Sequence, residues 1–272
     1  MLTAFDPAAR SSVIAYLARR PFENAYVRWL IESGYGALED LRVWRRPDGE
    51  IGGVAYFGPQ VVLAADDAAA IDAFAIEARR HAAFRMLVGP RPLVERFWER
   101  VKSWSREPTA IRERQILFVV TPGTLRRVDC GIPVRPARTD ETELVVEHSA
   151  EMMLGELGYD PREHRPGFAY GVRRLIERGW WWLWREDDEL RFMLNIGAKT
   201  EQTIQLQGVW TPPHLRGRGY ATLAMAAICA RLLESAPTLS LYVNDFNRKA
   251  IALYERLGFA AAGELSTYIF LD

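Results

Sequence analysis

The sequence predicts an α/β protein of the α+β type, with mixed sheets flanked by helices, arranged as two domains. The chain has 272 residues, enough for two domains that each bury a core. Segments with strand periodicity alternate with segments of helical periodicity in both halves. Between the halves, the stretch 121–136 holds three prolines and two glycines. We therefore expect the domain boundary in this stretch, near Arg127.

The N-terminal half begins with helical periodicity and continues as alternating strands and helices. Pro47-Asp-Gly49 is typical of a hairpin turn between two strands. Pro90-Arg-Pro92 is typical of a helix start, because proline is tolerated in the first turn. We expect the last strand to close an N-terminal sheet. The predicted helices are 7–20, 22–33, 67–81 and 90–102, and the predicted strands are 41–46, 51–57, 61–64, 84–88 and 116–120.

The C-terminal half repeats this order of elements. Val134-Arg-Pro-Ala-Arg138 predicts a first strand, and Thr139 or Asp140 can cap the following helix. The stretch 158–167 should interrupt helicity. The tryptophans of 180–184 favour a strand packed in a core, with a base-stacking platform as the alternative. The further predicted helices end at 157, 178 and 234, and the further strands are 180–184, 190–198, 203–211 and 239–244.

One stretch in this half has a pattern specific enough to suggest a binding site. Pro212-Pro213 ends a strand, because it removes two backbone donors, and Gly217 and Gly219 then permit a tight turn into a helix. Such a turn presents unpaired amide N–H groups at the positive end of a helix dipole. Arg216 and Arg218 add positive charge. The stretch therefore predicts an anion site.

Two motifs connect this turn with a known superfamily. Arg216-Gly-Arg-Gly219-Tyr-Ala221 matches the pattern Gln/Arg-x-x-Gly-x-Gly/Ala, and Asn247-x-x-Ala250-x-x-x-Tyr254-x-x-x-Gly258-Phe259 follows after one more strand. From about Gly179 onward the chain resembles the GNAT N-acetyltransferases. The resemblance implies a mixed, mostly antiparallel sheet, acetyl-coenzyme A as acyl donor, and no metal. It implies these coenzyme A contacts: Val209, Trp210, Thr211, Arg216, Gly217, Arg218, Gly219, Tyr220, Ala221, Thr222, Asn244, Asn247 and Tyr254.

The resemblance also implies catalytic roles. Tyr254 matches the phenol that gives its proton to the departing sulfur, and a tyrosine merely packed on the last helix is the alternative. A backbone N–H within Val209–Thr211 corresponds to the donor that polarises the thioester carbonyl. Asn244 and Asn247 resemble residues that hydrogen-bond the pantetheine arm, although asparagines after strands are also ordinary turn residues.

The general base is where this sequence departs from the family. In several GNAT enzymes a glutamate accepts the amine proton through water; counting back eleven residues from Arg216 gives Gln205 at that position. An amide is no base, and Gln207 and Val209, expected on the same strand face, cannot replace it. The amine could also arrive neutral. The open candidates are Glu151, Glu156, Asp245, Glu264 and Asp272, with His148 and His164 near the expected acceptor cleft.

The N-terminal half resembles a degenerate GNAT copy, with an unrelated α/β domain as the alternative. It has the expected order of elements, but Ala64-Ala-Asp66-Asp67 stands where the Gly-rich turn would be. These carboxylates would cap the helix and repel a phosphate. We thus expect a degenerate domain over 1–126 and a catalytic domain over 127–272. If tryptophans join the two, a protein beginning at Arg127 should be poorly soluble or inactive.

Composition argues against several functional classes. Lys plus Arg equals Asp plus Glu at 35 each, so neither nucleic acid nor an acidic membrane is an expected partner. Cys130 and Cys229 lie far apart, outside any metal-like spacing, and the four histidines are scattered, so no disulfide framework or metal site is expected. Without an apolar run of about 18 residues or a leader-like start, we expect a cytoplasmic protein.

The predicted function is acetyl transfer from acetyl-coenzyme A to a primary amine. The acceptor could be a small-molecule amine, an aminoacyl group or a protein amine, and the stretch 151–170 and the C-terminal strands should determine which. A non-catalytic acyl-coenzyme A sensor or protein-interaction module is the alternative. The missing glutamate favours that alternative, and Tyr254 favours catalysis. The sequence leaves the oligomeric state open.

Overall fold

One continuous mixed sheet, flanked by helices, contains all the strands that the structure describes. The computed structural model describes residues 1–34, 38–81, 84–128, 131–164 and 167–271. Cys130 and Asp272, considered above for a disulfide and for the general base, lie outside these ranges. Within them, no helix has the length and apolar character needed to cross a membrane.

In the N-terminal half, local periodicity predicted most elements to within a few residues. The strand Leu2–Ala4 was not predicted, and the last strand begins at Ala110 rather than at residue 116. Its first residues include the consecutive charged residues Arg112, Glu113 and Arg114, and they form a strand by pairing with β-structure at the C-terminal end of the chain. The strands are β1 (Leu2–Ala4), β2 (Leu41–Arg45), β3 (Ile51–Phe57), β4 (Gln60–Ala65), β5 (Met86–Pro90) and β6 (Ala110–Val120), and the helices are α1 (Arg10–Leu17), α2 (Ala25–Ser33), α3 (Ala68–Glu77) and α4 (Arg91–Val101).

The C-terminal half differs from expectation at two places. The stretch expected to lack helix holds one short helix, and neither Thr139 nor Asp140 caps the helix before it. A 3-10 turn, Thr139–Glu141, leads into that helix. The N-cap of this 3-10 turn is Arg138. The strands are β7 (Arg135–Pro136), β8 (Trp181–Glu186), β9 (Glu189–Lys199), β10 (Ile204–Trp210), β11 (Leu239–Asn244) and β12 (Ala260–Ile269), and the helices are α5 (Thr142–Leu157), α6 (Pro161–His164), α7 (Phe168–Glu177), α8 (Tyr220–Leu232) and α9 (Arg248–Arg256).

The strand order shows that the two halves exchange strands. From edge to edge it is β1-β2-β3-β4-β5-β12-β6-β11-β10-β9-β8-β7. Strand β12 pairs with β5 of the N-terminal half, and β6 lies antiparallel between β11 and β12. The expectation that 116–120 closes an N-terminal sheet is therefore wrong. Local sequence cannot encode this arrangement, because the paired strands are distant along the chain.

Helices cover both faces of the C-terminal strands. Alternate residues of β8 show the two faces: Leu183 packs in the cluster of α5 and α7, and Trp184 packs in the cluster of α8 and α9. The packing interpretation of the tryptophan run is thus confirmed. Trp180 extends it to the other half, because its ring centroid lies 5.2 Å from that of Trp29 on α2. Trp98 of α4 likewise contacts β12.

A buried carboxylate anchors the start of the C-terminal half. The Glu141 side chain is 1% exposed, and its two oxygens accept hydrogen bonds from the Arg135 guanidinium at 2.7 Å each. The backbone N–H of Arg138 donates to Glu141 Oε2 at 2.9 Å, and Arg185 Nη1 lies 3.6 Å from Oε1. The Arg135 guanidinium first, and then Arg138, lower the pKa of Glu141 to about 2. The cluster joins β7, β8 and the entry to α5.

We expect Glu141→Gln to lower the free energy of unfolding at pH 7 by about 3 kcal/mol, since the buried side chain would no longer carry the charge that pairs with Arg135 and Arg185. Because the folded-state pKa is lowered from 4.5 to about 2, the carboxylate stabilises the fold above the higher value and ceases to do so as pH falls through the lower. Urea unfolding across this range measures the effect, with the exposed Glu143→Gln as control. Equal acid sensitivity of Glu141→Gln and wild type would contradict the assignment.

Candidate functional site

A wedge opens between β10 and β11 at their carboxyl ends. These parallel strands are in register only at their first two pairs, the second being Gln205↔Ser240. Beyond that pair, the facing edges of 206–210 and 241–244 separate, so their backbone groups lack the ladder partners they would otherwise have. Crevices at the carboxyl ends of strands are the usual ligand sites of sheets that contain parallel strands. The wedge is therefore the candidate site.

The turn after β10 forms a cradle at the start of α8. Gly217 and Gly219 have φ of 78° and 87°, a region that disfavours any side chain. Gly219 is the N-cap, and the first helical hydrogen bond runs from Leu223 N to its oxygen at 3.2 Å. The amides of 220–222 thus have no carbonyl within the helix. A Cβ on either glycine would meet nothing within 4 Å, so the space above the turn is open.

Arginine side chains surround this turn. Arg216 and Arg218 are exposed, and Arg216 Nε donates to Thr211 O at 3.0 Å, which ties the turn to the strand end. Arg191 of β9 places its guanidinium carbon 5.6 Å from the Tyr220 ring centre. No motif indicated Arg191, because it belongs to a strand well before the turn. The surroundings suit an anionic ligand.

One carboxylate moderates this positive charge. Glu189 Oε1 lies 2.6 Å from His214 Nε2, and Arg191 also contacts the Glu189 carboxylate. His214 first, and then Arg191 and Arg218, lower the pKa of Glu189. Because all these groups are partly or largely exposed, an arriving anion can compete for the arginines.

Tyr254 on α9 points into the core beside α8. It is 5% exposed, and its ring centroid lies 5.7 Å from that of Phe259 and 6.1 Å from that of Phe118 on β6. Burial raises the pKa of the Tyr254 phenol, and the Cys229 thiol and the Glu156 carboxylate add to this effect. The phenol therefore keeps its proton at neutral pH. It is a protonated donor in a dry environment.

Asn244 and Asn247 lie at the rim of the wedge and have structural partners. Asn247 Oδ1 accepts from Ala250 N at 3.2 Å, so this side chain is the N-cap of α9. Asn244 Oδ1 accepts from Gln115 Nε2 of β6 at 3.0 Å. Both bonds use the carboxamide oxygen. The NH₂ groups are thus the donors with which either side chain could meet a ligand.

The face of β10 that was expected to carry a general base has no basic or acidic side chain. The alternation of side chains between the two faces also changes partway along the strand. Gln205 is buried, and Gln207 folds against Gly197 of β9. Between Gln207 and Trp210 the strand has an extra residue, and Gly208 there has φ of 62°. This bulge breaks the alternation, and Val209 packs on the α8 side instead. The expectation that Val209 shares the face of Gln205 is wrong.

Several candidate carboxylates are paired with arginines. Glu264 Oε1 accepts from Arg114 Nε at 2.7 Å, and Arg114 is the main reason that the pKa of Glu264 is lowered. Glu156 Oε2 lies 3.4 Å from Arg112 Nη2. Asp245 is held through its backbone, whose N–H donates to the Arg114 carbonyl. The lowered pKa makes Glu264 a weaker proton acceptor.

Glu151 has a different kind of partner. Its Oε2 lies 3.0 Å from Nδ1 of His148 on the same helix, and the His148 ring lies 5.1 Å from the Trp210 ring. His164 is the last residue of α6. Across the described ranges, no group of three or more His, Cys, Asp or Glu side chains is arranged to hold a metal ion.

Two aspartates occupy the corresponding turn of the N-terminal half. Asp67 Oδ1 accepts from Ala69 N at 2.9 Å, which confirms the predicted cap of α3. Its other oxygen lies 3.3 Å from Arg46 Nε, and Asp66 pairs with Arg19. Asp67 thus caps the helix, and both carboxylates pair with nearby arginines of the same chain. An external phosphate would meet negative charge there.

The parallel strands described in the N-terminal half, β4 and β5, leave no comparable wedge. Parallel strands β4 and β5 are in register as far as Val62↔Val88. One residue later they are still close, since a Cβ on Gly89 would lie 3.0 Å from Leu63 O. The crevice found between β10 and β11 is therefore closed at this place.

Two family models match successive parts of the chain. Residues 149–259 match the family model described as Acetyltransferase (GNAT) family, and residues 41–145 match a Domain of unknown function (DUF4081). No curated protein matches the chain significantly.

Solved structures share the fold along the whole chain. A Drosophila protein has a TM-score of 0.66 and 14% identity, covering 98% of each chain. A GNAT-family acetyltransferase from Colwellia psychrerythraea has a TM-score of 0.59 and 10% identity, covering 100% of each chain. A tandem GNAT protein from the clavulanic acid biosynthesis pathway has a TM-score of 0.57 and 14% identity, covering 99% of this chain and 98% of that one. At such identities the likeness shows the fold.

Proposed function

We propose that this protein transfers the acetyl group of acetyl-coenzyme A to a primary amine, because residues 149–259 match the family model of GNAT acetyltransferases. We place the cofactor site in the C-terminal half alone, with the domain boundary near Arg127. The N-terminal half then has a structural role, since aspartates occupy its turn and its strands leave no wedge.

The proposal depends on one observation: the wedge and the cradle adjoin at the end of β10. The pyrophosphate of the donor needs an anion site, which the cradle provides. Its extended, amide-bearing arm needs free strand edges beside that site, which the wedge provides. The open space above the two turn glycines provides room for the phosphates. The residues proposed to hold the donor are Val209, Trp210, Thr211, Arg216, Gly217, Arg218, Gly219, Tyr220, Ala221, Thr222, Asn244, Asn247 and Tyr254.

Different groups of the site would carry out the separate steps of the reaction. Acetyl-coenzyme A supplies an activated thioester. A backbone N–H within Val209–Thr211 would polarise its carbonyl, and the amides of the cradle would hold its phosphates. Tyr254 would protonate the leaving sulfur, for which its phenol is available in neutral form. The amine would enter from the face covered by α5 and α7.

A non-catalytic acyl-coenzyme A sensor is the second candidate. The buried Gln205 favours it, because this strand carries no group that can accept a proton. The two candidates share the same binding site and differ only in turnover.

A screen of amines by thiol release tests the proposal. Acetyl-coenzyme A is offered with small-molecule amines, aminoacyl esters, and peptides that have a free N-terminus or a lysine. Amine-dependent release of coenzyme A, with an acetylated product seen by mass spectrometry, is the expected result. Saturable binding without turnover would favour the sensor, and absence of binding would overturn both candidates.

We expect Gly219→Val to weaken acetyl-coenzyme A binding by about tenfold or more, as its side chain would enter the space above the cradle and strain a positive-φ position. Calorimetric titration measures the affinity. Gly34→Val is the matched control, since Gly34 has φ of 64° and open surroundings at the end of α2 in the N-terminal half. Undiminished affinity in Gly219→Val would show that the phosphates bind elsewhere.

A further inference from the structure

Helix α5 lies over the end of β10, next to the place proposed for the thioester. The ring centroids of His148 and Trp210 are 5.1 Å apart, with an interplanar angle of 39°. One helical turn later, Met152 Cε lies 3.6 Å from the Cβ position of Gly208. His148 and Met152 are four residues apart, so they lie on the same face of α5. This face lies over the bulge before the Gly-rich turn.

The sheet surface beneath this helix face is polar. Trp181, Asn195 and Gln207 are paired across β8, β9 and β10, so their side chains share one face. Asn195 is 4% exposed. The indole N–H of Trp181 and the hydroxyl of Ser149 on α5 are buried without a hydrogen-bond partner in the described part of the chain. Such orphaned donors are uncommon, and these two could hydrogen-bond a polar group that enters between α5 and the sheet.

His148 is oriented as a proton acceptor. A carboxylate has no proton to give, so Nδ1 must donate to Glu151 Oε2 across their 3.0 Å separation. The neutral imidazole then carries its lone pair on Nε2. The side chain is 21% exposed, which leaves it accessible to a ligand. The Glu151 carboxylate would also stabilise the imidazolium formed after proton uptake.

Other ionisable groups around this face are less suited to the role. Glu147 Oε2, on the preceding residue, lies 2.7 Å from Arg162 Nη1 of α6. Glu156, further along α5, pairs with Arg112. Strand β10 brings no charged side chain, because its sequence is Ile-Gln-Leu-Gln-Gly-Val-Trp. The imidazole, held by a carboxylate rather than an arginine, is the better proton acceptor.

We propose that His148, oriented by Glu151, is the base that takes the proton of the acceptor amine, a role that Gln205 cannot fill. The proposal rests on the acetyltransferase function proposed above. The ammonium gives one proton to His148 Nε2, which releases it to solvent. The nitrogen then bonds to the acetyl carbon as the carbon–sulfur bond breaks. The sulfur takes the proton of Tyr254, and the second proton of the nitrogen restores the phenol.

The test is His148→Phe, which keeps an aromatic ring against Trp210 and removes the basic nitrogen. With the amine identified by the screen, we expect kcat/KM to fall about 100-fold or more, with unchanged acetyl-coenzyme A affinity. Glu151→Gln should lower it about tenfold, through loss of orientation and charge. Glu147→Gln, a carboxylate change on the same helix, is the control expected to match wild type.

Rescue distinguishes a base from a packing residue. His148→Ala leaves space beside Trp210, and added imidazole should restore turnover saturably. A wild-type rate in His148→Phe, or failure of imidazole to restore His148→Ala, would overturn the assignment while the acetyltransferase function stands. Wild-type protein that releases coenzyme A with no amine would instead overturn the proposed function, and this assignment with it.

Discussion

Replacing Tyr254 with phenylalanine is expected to lower the rate of acetyl transfer by about 10- to 1000-fold and to leave acetyl-coenzyme A affinity unchanged. The phenol acts on the leaving sulfur mainly in the transition state, so its loss should affect kcat rather than binding. The phenyl ring can keep its contacts with Phe118 and Phe259. Steady-state kinetics with an identified amine, together with calorimetry, measures both quantities.

The control is the removal of a tyrosine hydroxyl elsewhere. Tyr16 is buried in the core of the N-terminal half, away from the Gly-rich turn and α9. Tyr16→Phe should therefore keep wild-type turnover. If Tyr254→Phe also did so, Tyr254 would be a packing residue, as its burial alone would allow.

A protein that begins at Arg127 is expected to be insoluble or unfolded. Such a protein lacks β6, whose Leu117, Phe118 and Val120 are buried against the C-terminal strands. It also lacks β5, so β12 loses both of its neighbours and β11 is left with an open edge. Exposed, unpaired edges of this kind promote aggregation. The loss of strands is a stronger reason than the loss of the tryptophan contacts inferred from the sequence.

Co-expression provides the complementary measurement. If strand exchange causes the failure, a separate chain of residues 1–126 should restore solubility and acetyl-coenzyme A binding to the fragment from Arg127 onward, since it supplies β5 and β6. Size-exclusion chromatography and circular dichroism report on the assembly. A monomeric, folded and fully active fragment without that partner would show that the exchanged strands are dispensable.

The elements of this protein could be predicted because their signals are local. Strands β3 and β11 have the predicted bounds, because short apolar runs end at turn-forming residues. The hairpin turn between β2 and β3 could be predicted from Pro47-Asp-Gly49, and Gly49 adopts a positive φ of 90° there. The cap of α3 by Asp67 is equally local. In each case, neighbouring residues determine the backbone geometry.

The sequence by itself determined the Gly-rich turn, the helix that follows it, and the tyrosine spacing that indicates an acetyltransferase. Only the tertiary structure decided that β6 and β12 exchange places, that a bulge turns Val209 away from Gln205, and that His148 meets Trp210. Turns and periodicity depend on the torsions and side chains of adjacent residues, which the sequence displays directly. Strand partners and helix-to-sheet contacts depend on which apolar surfaces can be buried together, and the whole fold determines that choice.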